Sequence, residues 1–351
     1  MKIRANKIGS VVHRLDLPQE LEISRLVDAR SGQVLVVRAL TEKAVYDVLE
    51  LTNGRMAHIG KGDVLVGALG RRDALRGFVG HVPETIKAGD TLNVLNLGGV
   101  LGKVTSGTRE VGPPLEVEVL GMAVKGGRGL NIADAALDIA DDASVDVPPV
   151  VVVSGTSMNS GKTYAACEII TRLARRGYAC GGVKLTGVAA RRDTLAMADH
   201  GAVSTLSFVD CGLPSTAGFP ETAAVGKRLL QAVGREPATG TGTDLDVIVA
   251  ELGDGLIGSY GVDSILDDAD FRSMVRAHVL CATDLVAAWG GLGWMKEHGL
   301  AVDVVAGPAT DNEVGMNAIH DGMGVKAVNA RLCADELVDH IEQVAFRSAH
   351  A

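Results

Sequence analysis

Val150-Val-Val-Val-Ser-Gly155-Thr-Ser-Met-Asn-Ser-Gly161-Lys162-Thr163 is the stretch on which the reading of this chain turns. Four β-branched residues read as a buried strand, and a glycine-containing turn follows. Tyr164 to Arg176 then read as a helix with Ala165, Ile169 and Leu173 on one face. Strand, loop, Lys-Thr and helix in that order make a phosphate-binding loop. Its backbone N–H groups point inward at phosphates, the lysine adds a point charge, and the threonine hydroxyl reaches Mg²⁺. Gly155 precedes Gly161 by six positions, so five residues intervene where four are usual, and Thr156 takes the place of a glycine. The residues expected to hold a nucleotide here are Gly155, Thr156, Ser157, Asn159, Ser160, Gly161, Lys162, Thr163 and Tyr164.

Downstream, apolar runs alternate with helical segments. The expected strands are Val150–Val153, Ala179–Leu185, Ser204–Val209, Asp246–Glu251, His278–Thr283, Val302–Ala306 and Ala327–Asn329. Such alternation predicts an α/β domain with a doubly wound, mainly parallel sheet covered on both faces, its ligands at the carboxyl ends of the strands. Three strand ends carry polar groups. Gly182-Val-Lys184-Leu-Thr-Gly187 puts a lysine at the edge shared with the loop, and Arg191, Arg192 and Asp193 follow as candidates for an anionic substrate or a metal. Asp246-Val-Ile-Val-Ala ends in Glu251-Leu-Gly-Asp254, where an NTPase places a metal partner or water-orienting carboxylate. Glu251 and Thr163 are the metal candidates, and Lys162, Lys184 and Asp254 the catalytic ones. Asn312, after the strand at 302–306, or Asn329 would pair with a purine edge.

Residues 1–145 have another texture. Gln33–Arg38, Tyr46–Leu51, Arg55–Ile59, Asp63–Leu69, Thr91–Leu97 and Leu115–Leu120 read as short strands, with Thr52-Asn53-Gly54 as a hairpin turn. They predict a β-rich barrel- or sandwich-like N-terminal domain, followed by the α/β domain at 146–351. The glycine-rich run Gly98–Ser106 suits a barrel corner or a ligand's close approach, and His81 reads as structural. Asn131–Ala140 reads as a short helix, and Asp141–Pro149 as the connection.

Composition narrows the function. The 351 residues suit two domains, and 3% aromatics demand an aliphatic core. A net charge of −9 without a Lys/Arg stripe argues against nucleic acid. No run of about eighteen apolar residues predicts a membrane span. The N-terminus lacks the apolar core of a secretory signal, and five scattered cysteines without a C-x-x-C spacing predict free thiols in the cytoplasm. Cys211 is read as a structural thiol before a nucleophile.

With loop, lysine strand and Glu-Gly strand in place, the last 200 or so residues resemble the dethiobiotin synthetase and cobyrinic acid amidase group of P-loop proteins. The loop has the same five-residue gap as dethiobiotin synthetase, whose lysine strand and metal-binding Glu-Gly strand end are similar to Gly182–Gly187 and Glu251–Asp254. The two-domain layout is similar to the family of the D-glutamate N-acetyltransferases. The chain departs from dethiobiotin synthetase in having Ser157 and Asn159 where acidic residues are usual, and Leu185 where a proline is. It also lacks the glutamine-amidotransferase segment of the amidases. The resemblance implies ATP and Mg²⁺ as cofactors, a small anionic, carboxylate-like substrate activated by phosphoryl transfer, the activity of a ligase, and a homo-oligomer such as a dimer. Two other readings stand beside it: an acyl-CoA-dependent N-acyltransferase whose loop holds the CoA nucleotide, and a non-catalytic regulatory NTPase. No Asn-Lys-x-Asp motif selects guanine, so ATP against GTP stays open.

Overall fold

The computed structural model describes residues 1–138, 147–234 and 244–346. The expected boundary at 145/146 and the end of the expected 131–140 helix lie outside the described residues. Two compact units emerge: Met1–Asp138 joined by Val188–Arg192 and Phe208–Ala217, and a second drawn from Ile139–Gly187, Asp193–Ser207 and Gly218–Ala351 as far as these are described.

The first unit is built on a closed ring of five strands. Glu116–Lys125 pairs with Val34–Ala39, which pairs with Val64–Leu69, then Val100–Gly107, then Thr91–Val94, which returns to Glu116–Lys125. Closure removes the open edges that a sheet would otherwise present. Alternate residues Leu35, Val37 and Ala39 meet Leu65, Leu69, Val117 and Val119 in one aliphatic core. Val100–Gly107 runs parallel to Val64–Leu69, and the two chains approach so closely that a Cβ on Gly67 would lie 2.2 Å from the Gly99 carbonyl oxygen. The glycine-rich run is thus a barrel corner. The hairpin Val48–Glu50/Met56–His58 forms as expected. The helix expected from Asn131 shrinks to one 3-10 turn, Ile132–Ala135, capped by Asn131 and ended where Ala136 becomes extended.

The second unit is a seven-stranded parallel sheet: β1 (Val150–Gly155), β2 (Cys180–Lys184), β3 (Ser204–Ser207), β4 (Val247–Glu251), β5 (Val275–Cys281), β6 (Val304–Ala306) and β7 (Lys326–Ala327). Their order is β3-β2-β4-β1-β5-β6-β7. The chain therefore leaves β1 to one side for β2–β4 and resumes on the other with β5, so β1 ends at the switch point where open α/β sheets take ligands. Val150–Val153 are fully buried. On one face Val151 and Val153 pack on α1 (Lys162–Arg175) and α8 (Ala334–Ala345). The remaining helices are α2 (Arg192–Asp199), α3 (Thr222–Val233), α4 (Val262–Asp267), α5 (Ala269–Met274), α6 (Leu285–Glu297) and α7 (Glu313–Met323).

Helix α1 buries Ala165, Ile169 and Leu173 as its spacing predicts, and stops at Gly177 with φ +95°. Gly177 N–H bonds the Ala174 carbonyl and Tyr178 N–H that of Leu173, the paired bonds of a Schellman stop. Strand bounds shift by one to three residues from expectation, and three of the shifts have a visible cause. β5 begins at Val275, because Val150 on β1 pairs with it. β3 ends at Ser207, where Phe208–Cys211 tightens into a 3-10 turn. β7 ends at Ala327, and the Asn329 side chain organises the turn beyond it.

Candidate phosphate site

Sheet order brings the site together. Val153 on β1 is level with Glu251 on β4, and Glu251 is level with Lys184 on β2. Three segments distant in sequence thus end at one edge. The loop leaves β1 at Gly155, whose carbonyl accepts from Leu256 N–H, while Thr156 N–H donates to the Cys281 carbonyl on β5. Gly155 must be glycine: a Cβ there would lie 2.2 Å from Ser160 Oγ and 2.9 Å from the Lys162 side chain. Asn159 sits at φ +61° and Gly161, which precedes α1, at φ +92°. These left-handed turns bend the chain so that the first N–H groups of α1 open towards the loop.

Lys162 is buried, and its Nζ donates to the Ser157 carbonyl at 2.8 Å, with Ser160 Oγ at 3.5 Å. Burial lowers its pKa, opposed by Glu251, Cys281 and Asp254. Thr163 Oγ1 donates to Glu251 Oε1 at 3.0 Å. Glu251 is 2% exposed, and its Oε2 has no hydrogen-bond partner. Asp254, at φ +73°, has a buried Oδ1 without a partner, as does Thr156 Oγ1. Burial raises the Asp254 carboxyl pKa, against the pull of Lys162 and the Gly255 N–H. Backbone in a region that non-glycine residues avoid, at Asn159 and again at Asp254, is the kind of local strain that gathers at functional sites.

The other expected residues are divided between the two units. Lys184 Nζ forms an ion pair with Asp193 Oδ2, both side chains nearly buried. Arg191 belongs to the first unit, where its N–H donates to Glu50 Oε2 and its guanidinium to the Thr52 carbonyl. His81 is exposed on the strand Phe78–His81, and Cys211 is half-buried. Tyr164 is exposed at the start of α1 with the Arg331 guanidinium 5.1 Å above its ring, a cation–π contact. Asn312 is exposed and caps α7 by accepting from Gly315 N–H.

Asn329 corrects one expectation. Its Nδ2 donates to the Thr310 carbonyl and to Asp311 Oδ1, and its Oδ1 accepts from Arg331 and Leu332 N–H. That uses both donors and both acceptor positions of the amide, leaving none for a base. Its role is to shape the turn that carries Arg331 to Tyr164. Sequence reasoning missed Arg331, since nothing local marks an arginine that meets a ring so distant in the chain. It also missed the pairing of Ser154 Oγ with His278 Nε2, 2.7 Å apart on β1, which leads into the loop, and its neighbour β5. Among the described residues no group of three or more His, Cys, Asp or Glu could hold a metal by themselves. No described helix is long and apolar enough to cross a membrane.

No family model matches the chain, and no curated protein does. Among solved structures, chloroplast FtsY from Physcomitrella patens is similar at 14% identity over 60% of this chain and 70% of its own, with a TM-score of 0.39. A DUF1611 family protein from Anabaena variabilis is similar at 16% identity over 63% and 65%, with a TM-score of 0.41. The hydrogenase maturation factor HypB from Archaeoglobus fulgidus gives 13%, 56%, 90% and 0.34 in the same order.

Proposed function

We propose that the loop at 155–163 binds a nucleotide and that the chain is an ATP- and Mg²⁺-dependent enzyme, a ligase by class, which activates a small carboxylate-like substrate by phosphoryl transfer. One observation carries this reading: Thr163 and Glu251 meet at 3.0 Å beside a buried lysine, while Glu251 Oε2 has no partner. A buried polar atom left unsatisfied costs about 1–3 kcal/mol, more when charged. A cation would relieve that cost. Mg²⁺ is commonly held by one or two protein oxygens together with substrate phosphates, which suits Thr163 and Glu251 better than a self-contained metal cage would. When bound, the ion would neutralise charge on the phosphate oxygens.

The chain's own groups supply the rest. The first N–H groups of α1 and Lys162 hold the phosphates and stabilise charge on the transferred group. Lys184, steadied by Asp193, orients the anionic acceptor. Asp254 is the carboxylate placed to take a proton, and Asn312 with Tyr164 borders the base. Domains at 1–145 and 146–351, a homo-oligomer and a cytoplasmic setting belong to the same proposal, the last supported by five free cysteines.

Titration calorimetry with ATP, GTP and acetyl-CoA, each with and without Mg²⁺, tests the binding. Magnesium-dependent heat with ATP, abolished in Lys162→Ala, is expected. ATP turnover in the presence of a panel of small carboxylic acids then tests the chemistry. Heat from acetyl-CoA alone, independent of Mg²⁺, would replace the ligase reading with acyl transfer, and turnover unchanged in Lys162→Ala would refute the site.

A further inference from the structure

Asn329 builds a turn that delivers an arginine to a tyrosine. Its buried amide is fully engaged with Thr310, Asp311, Arg331 and Leu332, and the Arg331 guanidinium stands 5.1 Å above the Tyr164 ring. Neither side chain serves the core: Tyr164 is 41% exposed, and Arg331 is exposed as well. Among the described residues no carboxylate forms an ion pair with Arg331. The other polar side chains of the loops after β6 and β7 are tied within the chain. Thr310 Oγ1 donates to the Gly307 carbonyl, Asp311 Oδ1 accepts from Asn329 Nδ2, and Asn312 Oδ1 accepts from Gly315 N–H. A cation without an anionic partner thus lies on an aromatic ring one residue beyond Thr163.

Sheet order gives the phosphate loop a direction. β4, with Glu251, lies on one side of β1, and β5, β6 and β7 lie on the other. Thr163 and Glu251 therefore mark the β4 side as the metal side. Mg²⁺ bridges the β- and γ-phosphates of a nucleotide, so its ribose and base would leave towards β6 and β7. The loop after β6 meets the start of α1 there: a Cβ on Gly161 would lie 3.4 Å from Gly307 Cα and 3.6 Å from Pro308 Cδ. Arg331 comes to Tyr164 from the turn after β7.

We infer that Tyr164 and Arg331 form the platform on which the base of a bound nucleotide stacks, and that adenine and guanine stack there alike. This rests on the nucleotide reading of the loop and adds how the base is held. Aromatic rings and guanidinium planes grip a base by its face. Every base has such a face, so stacking does not select, whereas selection needs donors and acceptors aimed at the base edge.

Titration calorimetry of the full chain with Mg²⁺ tests this by comparing ATP, GTP and inorganic tripolyphosphate, which has no base. ATP and GTP should bind within about fivefold of each other, and both about tenfold or more tighter than tripolyphosphate, the scale of one stacked base. In Arg331→Ala and in Tyr164→Leu that advantage over tripolyphosphate should fall to about threefold or less, while Tyr164→Phe, which keeps the ring, should retain it. Both side chains are exposed, so melting of the free variants should stay as in the parent. An advantage that survives in both truncated variants overturns the platform and leaves the phosphate site standing. A preference of more than about fivefold for one purine overturns the equal treatment of the two bases. Absence of heat from all three ligands removes the nucleotide reading and the platform with it.

Discussion

His278→Gln is expected to flatten the loss of stability in acid. His278 lies on β5, 4% exposed, with Nε2 2.7 Å from Ser154 Oγ and a further hydrogen bond to the backbone of Ala301. Burial pushes its pKa down from 6.5 to about 4. The native imidazole then stays neutral over a range in which the unfolded chain takes up a proton. Its contribution is complete above pH 6.5 and is lost as pH falls from there towards 4. At pH 5 the loss amounts to about 2 kcal/mol, rising to about 3 kcal/mol below the folded pKa. Urea unfolding at pH 8 and pH 5, followed by tryptophan fluorescence, measures it, because Trp289 and Trp294 both sit on α6 and report the second unit. The variant loses the bond to Ser154 and should be the weaker protein at pH 8. Carboxylates that titrate in both proteins cancel in the difference. The fall between the two pH values should therefore be smaller in the variant by about 2 kcal/mol. An equal fall in both would refute the reasoning, because it would mean that His278 is protonated as readily in the native state as in the unfolded one.

Gly155→Ala should abolish nucleotide heat in calorimetry while costing only about 1–3 kcal/mol of stability, since its Cβ collides with Ser160 and Lys162 inside the loop rather than in the core. With a thiol reagent at pH 8, Cys333 and Cys211 should react in the native protein. Cys167, Cys180 and Cys281, whose pKa values burial pushes up to about 12, should wait for denaturant; early labelling of any of the three, read by peptide mass, would contradict that burial. Asn329→Ala should lower stability in denaturant titration by about 2–4 kcal/mol, because two backbone N–H groups and the Thr310 carbonyl lose their partner. A nearly neutral effect would remove Asn329 from its structural role.

The α/β unit was legible because its signals are local. Val150–Val153 announce a strand buried on both faces, Gly155 to Thr163 a turn that must pass close to itself, and Ala165, Ile169 and Leu173 a helix with one inner side. Strand ends were read less well. Whether Val275 joins β5 is decided by Val150 on the neighbouring strand, and whether β7 continues past Ala327 by what the Asn329 amide binds. Neither is written within a short window. The barrel was legible only as a series of short strands, because its closure depends on Thr91–Val94 pairing with two strands at once.

Pairing order is also what turns scattered polar residues into a site. Lys162 and Glu251 are far apart in sequence, and each alone is an ordinary residue at a strand or helix end. Had β4 joined the outer edge beside β3, Glu251 would sit three strands from Val153. Its insertion between β2 and β1 instead puts Glu251 Oε1 within 3.0 Å of Thr163 Oγ1 and Lys184 level with Glu251. The same insertion buries Glu251 without supplying a donor to its second oxygen. Apolar residues at 162 and 251 together would pack without that cost, since removing both members of a buried polar pair is often neutral. The carboxylate and the lysine are therefore better explained by a charged ligand than by folding, and the alanine and glycine substitutions in this loop separate those two demands.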